Sequence, residues 1–277
     1  MAKWQGCMIA RIWHGAVPVS KGREYLILMR RIALPEYLAT QGNRGAWCLH
    51  RTEGDAEHFQ MLTFWDDTEA IKRFAGDDYS MAKYYDFDSD YLIEMEPHVQ
   101  HYEVYSGSSP DPSRPTGGRN VRSGNTIARV WRGVVPIEKA EAYFRYLSDF
   151  GFRDYQTYAG NRGIHLLRRR EEARMHFLLL SFWKSRQAIA AYAGADIAKA
   201  RYYAYDLECL IDPPLNVEHY EVSQMPKLTS RKNALPPSEK QTFEHNPAVT
   251  RRNSPGTRKG RLPQGGLCVC VRPVNIS

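Results

Sequence analysis

Long apolar runs are missing from these 277 residues: no stretch approaches the roughly 20 apolar residues that a helix needs to cross a bilayer. The N-terminus lacks the apolar core of a signal peptide. Cysteine is scarce. Its five positions, Cys7, Cys48, Cys209, Cys268 and Cys270, show no framework of pairs, which points to reduced thiols and a cytoplasmic setting. Cys268-Val-Cys270 has no partners at metal-ligand spacing, so no metal site is read from the sequence. GxGxxG, a phosphate loop, a nucleophile elbow and HExxH are all absent, which leaves flavin, nucleotide, hydrolase and zinc-protease chemistry without residues to rest on. A basic body is missing too. The net charge is +7, but residues 224–277 hold ten Lys/Arg against two Glu, so the preceding 223 residues carry −1. No nucleic-acid partner is expected except through that tail.

What is present is a repeat. Shifted by 118 residues, Ala10–Val104 falls on Ala128–Val222 without a gap, and about 37 of the 95 positions are identical. Arg11, Trp13, Gly15 and Pro18 meet Arg129, Trp131, Gly133 and Pro136. Gly42-Asn43-Arg44-Gly45 meets Gly160-Asn161-Arg162-Gly163, and His101-Tyr102-Glu103-Val104 meets His219-Tyr220-Glu221-Val222. A period near 100 residues means a duplicated domain, because solenoid repeats are shorter. Two like units on one chain can pair about a pseudo-twofold axis.

The division that follows is residues 1–105 as one domain, 106–125 as a Gly/Ser/Pro/Arg-rich linker, 126–223 as a second domain and 224–277 as a basic, Pro-rich disordered tail. Hydrophobic content of 43% with 12% aromatics suits globular domains. Each repeat reads as strand, helix, two strands joined by a hairpin, helix and strand. Tyr25, Leu28, Met29 and Ile32 share one helical face, as do Tyr143, Tyr146, Leu147 and Phe150. Asp67 and Ser185 are placed as N-caps, and Gly76 and Gly194 as helix ends. A short segment up to Tyr85 reads as helical. The order β-α-β-β-α-β is the split βαβ unit of an α+β, ferredoxin-like fold: an antiparallel sheet with helices on one face. The other sheet face is covered only if the two repeats pair as an intramolecular barrel. The interior between the sheets is then expected to be an apolar compartment for a small ligand.

Leu62-Thr-Phe-Trp-Asp-Asp-Thr-Glu-Ala-Ile71, Phe74-Ala-Gly76, Tyr84-Tyr85 and His101-Tyr-Glu-Val104 together resemble the antibiotic biosynthesis monooxygenase superfamily. The second repeat matches it with Ser181-Phe-Trp183, Tyr192-Ala-Gly194, Tyr202-Tyr203 and His219-Tyr-Glu-Val222. The resemblance implies a dimeric α+β barrel that binds a small aromatic or quinol-like molecule and oxygenates it without a bound cofactor. A non-catalytic ligand-binding or stress-associated protein of the same fold is the alternative. Haem degradation is a third reading. Trp65 and Trp183 resemble the pocket tryptophan of haem-degrading members, but the iron-binding histidine is replaced by Tyr84 and Tyr202, and the first strand has no asparagine.

Cofactor-free oxygenation needs an anionic substrate. Arg11, Arg129, Arg44 and Arg162 are the candidate anion holders, with Trp13, Trp131, Trp65 and Trp183 as pocket walls. His58, His176, Tyr84 and Tyr202 are the candidate proton carriers, and His101 and His219 share that chemistry. Each also has a structural reading. Arg11 can pair with Glu103 on the adjacent strand, Trp65 can be core, Arg44 can serve a turn, and the histidines can sit exposed on their strands.

Overall fold

The computed structural model describes residues 8–106 and 126–223, so the expectations for the linker, the tail, Cys7, Cys268 and Cys270 lie outside the described residues. The first half contains β1 (Ile9–Pro18), α1 (Val19–Leu28), a π-helical turn (Met29–Ala33), α2 (Leu34–Ala39), β2 (Asn43–Glu53), β3 (Ala56–Trp65), α3 (Thr68–Ala75), α4 (Asp88–Tyr91), β4 (Glu94–Met95) and β5 (Gln100–Ser106). The second half runs through β6 (Ile127–Pro136), a 3-10 turn (Ile137–Lys139), α5 (Ala140–Tyr146), a second π-helical turn (Leu147–Gly151), α6 (Phe152–Thr157), β7 (Asn161–Glu171), β8 (Arg174–Trp183), α7 (Arg186–Ala193), α8 (Ala204–Cys209) and β9 (Glu218–Ser223). No helix here is long and apolar enough to cross a membrane.

Every pairing is antiparallel. The first half has strand order β5-β1-β3-β2 and the second β9-β6-β8-β7. Two seams join them, β5 on β7 at Val104↔Leu167 and β2 on β9 at Leu49↔Val222, and the eight strands close into a barrel. Closure removes the open edges that would otherwise invite aggregation. Successive side chains on a strand point to opposite faces. Ala10 and Ile12 therefore face the barrel interior, while Arg11 and Trp13 face the helices.

The interior is a packed core rather than the expected ligand compartment. Trp47, Phe64, Phe182, Tyr102 and Tyr220 fill it together with Leu62, Leu167 and Leu180, all buried. Eight strands leave an interior just wide enough for side chains, and aromatics of this size fill it. Two further cores lie on the outer sheet faces, one under the helices of each half.

The helical segments depart from the expected face. Tyr25 and Met29 are buried, but Ile32 is 41% exposed and Phe150 67% exposed. The π-helical turns at 29–33 and 147–151 insert a residue into the 3.6 period, so the inward row continues through Ala33 and Tyr37, and through Phe152 and Tyr155. The caps form as read: the Asp67 carboxylate accepts from Ala70 N at 2.8 Å, the Ser185 hydroxyl from Ala188 N at 3.2 Å, and Gly76 and Gly194 sit at φ 88° and 91°. The segment up to Tyr85 is not helical. Residues 77–87 are irregular, tied down by the Met81↔His98 bridge, and the helix begins only at Asp88. Asp88 explains the delay: it is buried, accepts from Tyr85 N at 2.7 Å and Tyr25 Oη at 2.8 Å, and so anchors the irregular segment to α1.

Candidate functional site

Alternation along β1 and β3 decides which candidates meet. Arg11 lies opposite Thr63, and Trp65 lies two pairs further along, opposite Ile9, so that all face the helices. Above them sit Tyr37 of α2 and Phe74 of α3. Tyr37 stacks on Phe74 at 4.1 Å, and both rings approach Trp65, at 6.3 and 5.7 Å. The second half builds the same group from Arg129, Trp183, Tyr155 and Tyr192, with Tyr155 and Tyr192 at 4.3 Å. The π-helical turns make this possible, because they swing Tyr37 and Tyr155 over the arginines.

Arg11 and Arg129 are 1% and 2% exposed. Each gives one Nη2 hydrogen bond to a backbone carbonyl, Met81 O at 2.8 Å and Lys199 O at 2.9 Å. Each guanidinium lies over an aromatic face, Phe74 at 5.7 Å and Tyr192 at 5.5 Å. The Nε of each has no hydrogen-bond partner among the described residues, and neither arginine is ion-paired there. The expected Arg11–Glu103 pair does not form. Glu103 lies on the opposite sheet face direction from Tyr102 and reaches across the seam to Arg168 Nε at 2.8 Å. Burial pulls the Arg11 pKa down from its usual value, while the Tyr37 hydroxyl opposes that shift. Burial in turn pushes Tyr37 up to about 12, with Arg11 pulling the other way.

Directly across from Arg11 on β5 is His101, and across from Arg129 on β9 is His219. The Nε2 of each is buried and without a hydrogen-bond partner. Burial, reinforced by the neighbouring arginine, lowers both imidazoles to about 4. They are therefore neutral at ordinary pH. Each half thus holds a cation and a neutral base side by side, and each of the two groups keeps an unused nitrogen.

The remaining candidates divide. Trp65 and Trp183 are fully buried, and their indole N–H groups donate to Thr63 Oγ1 and Ser181 Oγ, both at 2.9 Å. Trp13 and Trp131 donate to the Tyr84 and Tyr202 hydroxyls at 3.5 and 3.2 Å. Those tyrosines donate to Glu96 O and Pro214 O, at 2.7 and 2.6 Å, and burial raises their pKa values. Protonated and already bonded, they hold the ends of the irregular segments. His58 and His176 lie on the barrel face of their strands, away from the arginines. Arg44 is exposed and forms a two-bond pair with Asp66 at 2.5 and 2.7 Å, and Arg162 donates to Thr126 Oγ1. Tyr37, Tyr155, Asp88 and Asp206 were missed, although all four recur at the 118-residue offset. Haem does not fit this arrangement: Tyr84 and Trp65 are engaged elsewhere, and Tyr37 and Phe74 fill the space over the sheet.

An open groove of about 640 Å³ runs near the β2–β9 seam. Its walls satisfy each other through His50–Glu57 at 2.8 Å and Arg51–Glu218 at 3.6 Å. That leaves the buried arginines as the stronger candidates for meeting a ligand.

No family model and no curated protein matches the chain. Solved structures do. A "putative monooxygenase" from Fusobacterium nucleatum aligns over 78% of this chain and 92% of its own, at 14% identity and a TM-score of 0.54. Another, from Lactobacillus acidophilus, aligns over 78% and 94% at 10% identity and 0.52. At such identities the likeness is one of fold, and the chain has the α+β barrel architecture that its resemblance to the antibiotic biosynthesis monooxygenases implied.

Proposed function

We propose that the protein binds a small aromatic, acidic molecule in the sheet–helix layer of each half, with Arg11 and Arg129 as the anion-holding groups. The observation that carries this reading is the pair of buried guanidiniums whose Nε atoms have no partner. Taking a charge out of water without a counter-charge is costly, and proteins rarely keep one for structure alone. A bound enolate, phenolate or carboxylate supplies the missing charge and accepts from the free Nε. Tyr37 and Phe74 stack on each other at 4.1 Å, so a planar ligand gains their ring faces only by parting them. Entry requires residues 77–87 to lift, breaking the Arg11–Met81 bond. The Glu36 carboxylate holds that segment shut through Lys83 at 2.5 Å and Tyr85 at 2.7 Å.

The same geometry supports oxygenation without a cofactor. His101 takes the acidic proton from the substrate, and Arg11 stabilises the anion left behind. That electron-rich anion reacts with oxygen. One oxygen atom enters the product, the other leaves as water, and the substrate supplies both electrons. As the anion forms, it offsets the arginine's charge and raises the affinity of His101 for the proton.

The test compares the wild-type protein with an Arg11→Met/Arg129→Met double variant, using a naphthoquinol as probe. Intrinsic tryptophan fluorescence reads binding, and uptake of labelled oxygen reads turnover. Binding weakened at least tenfold in the variant supports the site. Label in the product, at a rate above spontaneous oxidation, supports the monooxygenase. Binding without uptake supports the non-catalytic alternative. Equal binding by both proteins removes Arg11 and Arg129 from the role.

A further inference from the structure

The barrel face of β1 carries a cluster that the sheet–helix site does not use. His14 and His58 project from the mouth of the barrel, where the sequence changes from apolar to polar along each strand. Their rings stack at 5.3 Å, and His14 Nε2 stands 3.1 Å from His58 Nδ1. Glu94 of β4 completes the group: one ligand atom from each of the three falls within 4.8 Å of the other two. The register explains the meeting. Ala16 is opposite His58 on one side and Glu94 on the other, and its methyl group leaves the space between them to the longer side chains.

We propose that His14, His58 and Glu94 bind a divalent first-row transition ion such as Zn²⁺. Two nitrogens bound to one ion at 2.0–2.1 Å lie about 2.9 Å apart in a right-angled geometry and about 3.3 Å apart in a tetrahedral one. The 3.1 Å separation falls between these. Two imidazoles and a carboxylate are a donor set that suits zinc, cobalt, nickel and copper better than calcium or magnesium.

The outward nitrogens support the assignment. His14 Nδ1 lies 2.9 Å from the Glu96 carboxylate. A carboxylate there accepts the Nδ1 proton, so His14 presents a bare Nε2 toward His58. His58 Nε2 faces Glu53 at 4.0 Å, so its proton can move outward and free Nδ1 for the ion. Carboxylates behind metal-binding histidines orient the rings and raise their basicity. Both rings are partly sheltered, with side chains 22% and 17% exposed.

The other half lacks this set. Arg132 stands at the position of His14 and pairs with Glu218, Pro214 replaces Glu96, and His176 pairs with Glu171 at 3.1 Å. With an arginine in place of one of the two imidazoles, that half has no second histidine there to offer an ion. No spacing in the sequence signals the site, because His14 and His58 are 44 residues apart and meet only through the β1–β3 register.

The experiment titrates Co²⁺ into the full-length, metal-free chain, follows ligand-field absorption, and then measures Zn²⁺ by competition. It is repeated on His14→Gln, His58→Gln, Glu96→Gln and, as an internal control, His176→Gln. The proposal expects one bound ion to disappear in His14→Gln and in His58→Gln, and to persist in His176→Gln. Glu96→Gln should weaken binding about 10–100-fold while keeping the stoichiometry, because it acts through His14. Should a variant fold poorly, the imidazole nitrogen resonances of wild-type His14 and His58 serve instead: both must shift on adding Zn²⁺. An unchanged ion count in His14→Gln, or unshifted His14 and His58 resonances, overturns the site.

Discussion

The two halves agree under their helices and disagree at the mouth of the barrel. Under the helices, the arginine, the tyrosine above it, the buried tryptophan, the facing histidine and the Tyr–Asp anchor recur at matched positions. Even the π-helical turns coincide, at 29–33 and 147–151. At the mouth, His14 is answered by Arg132, Gln60 by Leu178, Glu96 by Pro214 and Gln100 by Glu218. Mid-barrel, Trp47 is answered by His165. The residues around the buried arginine recur, while the rest of the helix-side core varies, with Leu34 answered by Phe152, Cys48 by Leu166 and Phe74 by Tyr192. The arginine is buried at a cost, and each neighbour is placed to make that burial possible. The barrel interior also repeats, with Leu62, Phe64, Tyr102 and Val104 answered by Leu180, Phe182, Tyr220 and Val222; the change of character is confined to Trp47 and the mouth.

The most severe way to break the comparison is to separate the halves. Residues 8–106 alone expose the barrel face of a four-stranded sheet, including Trp47, Phe64 and Tyr102, and leave β2 and β5 as open edges. The isolated half is expected to dimerise through β2–β5 seams or to aggregate, as sedimentation would show. A stable monomer would mean that the halves do not depend on each other. Next in size is a matched pair of truncations. Trp65→Ala and Trp183→Ala should each cost about 3–5 kcal/mol in urea unfolding, because both rings are fully buried and hydrogen-bonded. A difference of more than about 1 kcal/mol between them would show that the helix-side layers are not equivalent.

The smallest effect concerns His165, which stands where the first half has Trp47. Burial holds its pKa down at about 4, below the roughly 6.5 of an unfolded chain. The unfolded state therefore binds more protons between these values. This contribution to stability is complete above about pH 6.5 and is lost as the pH falls toward 4. His165→Leu should remove about 2 kcal/mol of the stability lost between pH 7 and about pH 5, read from urea midpoints at the two pH values. His101 and His219, shifted in the same direction, keep the rest of the acid sensitivity in the variant. An identical pH profile would place His165 in contact with water.

The repeat, the strand order and the helix caps were legible because each rests on local signals: matched residues at one offset, alternation along strands, and Asp67 or Ser185 ahead of an apolar row. The barrel followed from the need to cover a sheet face. What could not be read was how that face is covered. Nothing local says that Trp47 and Phe64 fill the interior, so a packed core there could not be told from a ligand compartment. The π-helical turns were hidden too. Ile32 and Phe150 continue an apolar period in the sequence, and only packing against the sheet turns them outward. Arg11 and His58 have chemistry that would suit one site, but alternation along paired strands sends them to opposite faces. His101 required the β1–β5 register to bring it beside Arg11.

The closed barrel within a single polypeptide changes how the molecule can vary. In a barrel assembled from two identical chains, every substitution arrives twice, once on each side of the axis. An arginine placed at the mouth would confront its own copy, and a histidine gained on one side would appear on the other. Here a replacement is felt once. Glu218 can serve Arg51 from one half and Arg132 from the other without a mirror image of that arrangement having to exist. The mouth is thereby free to become lopsided, histidine-rich on one flank and arginine-rich on the other, while the layers beneath the helices stay twinned.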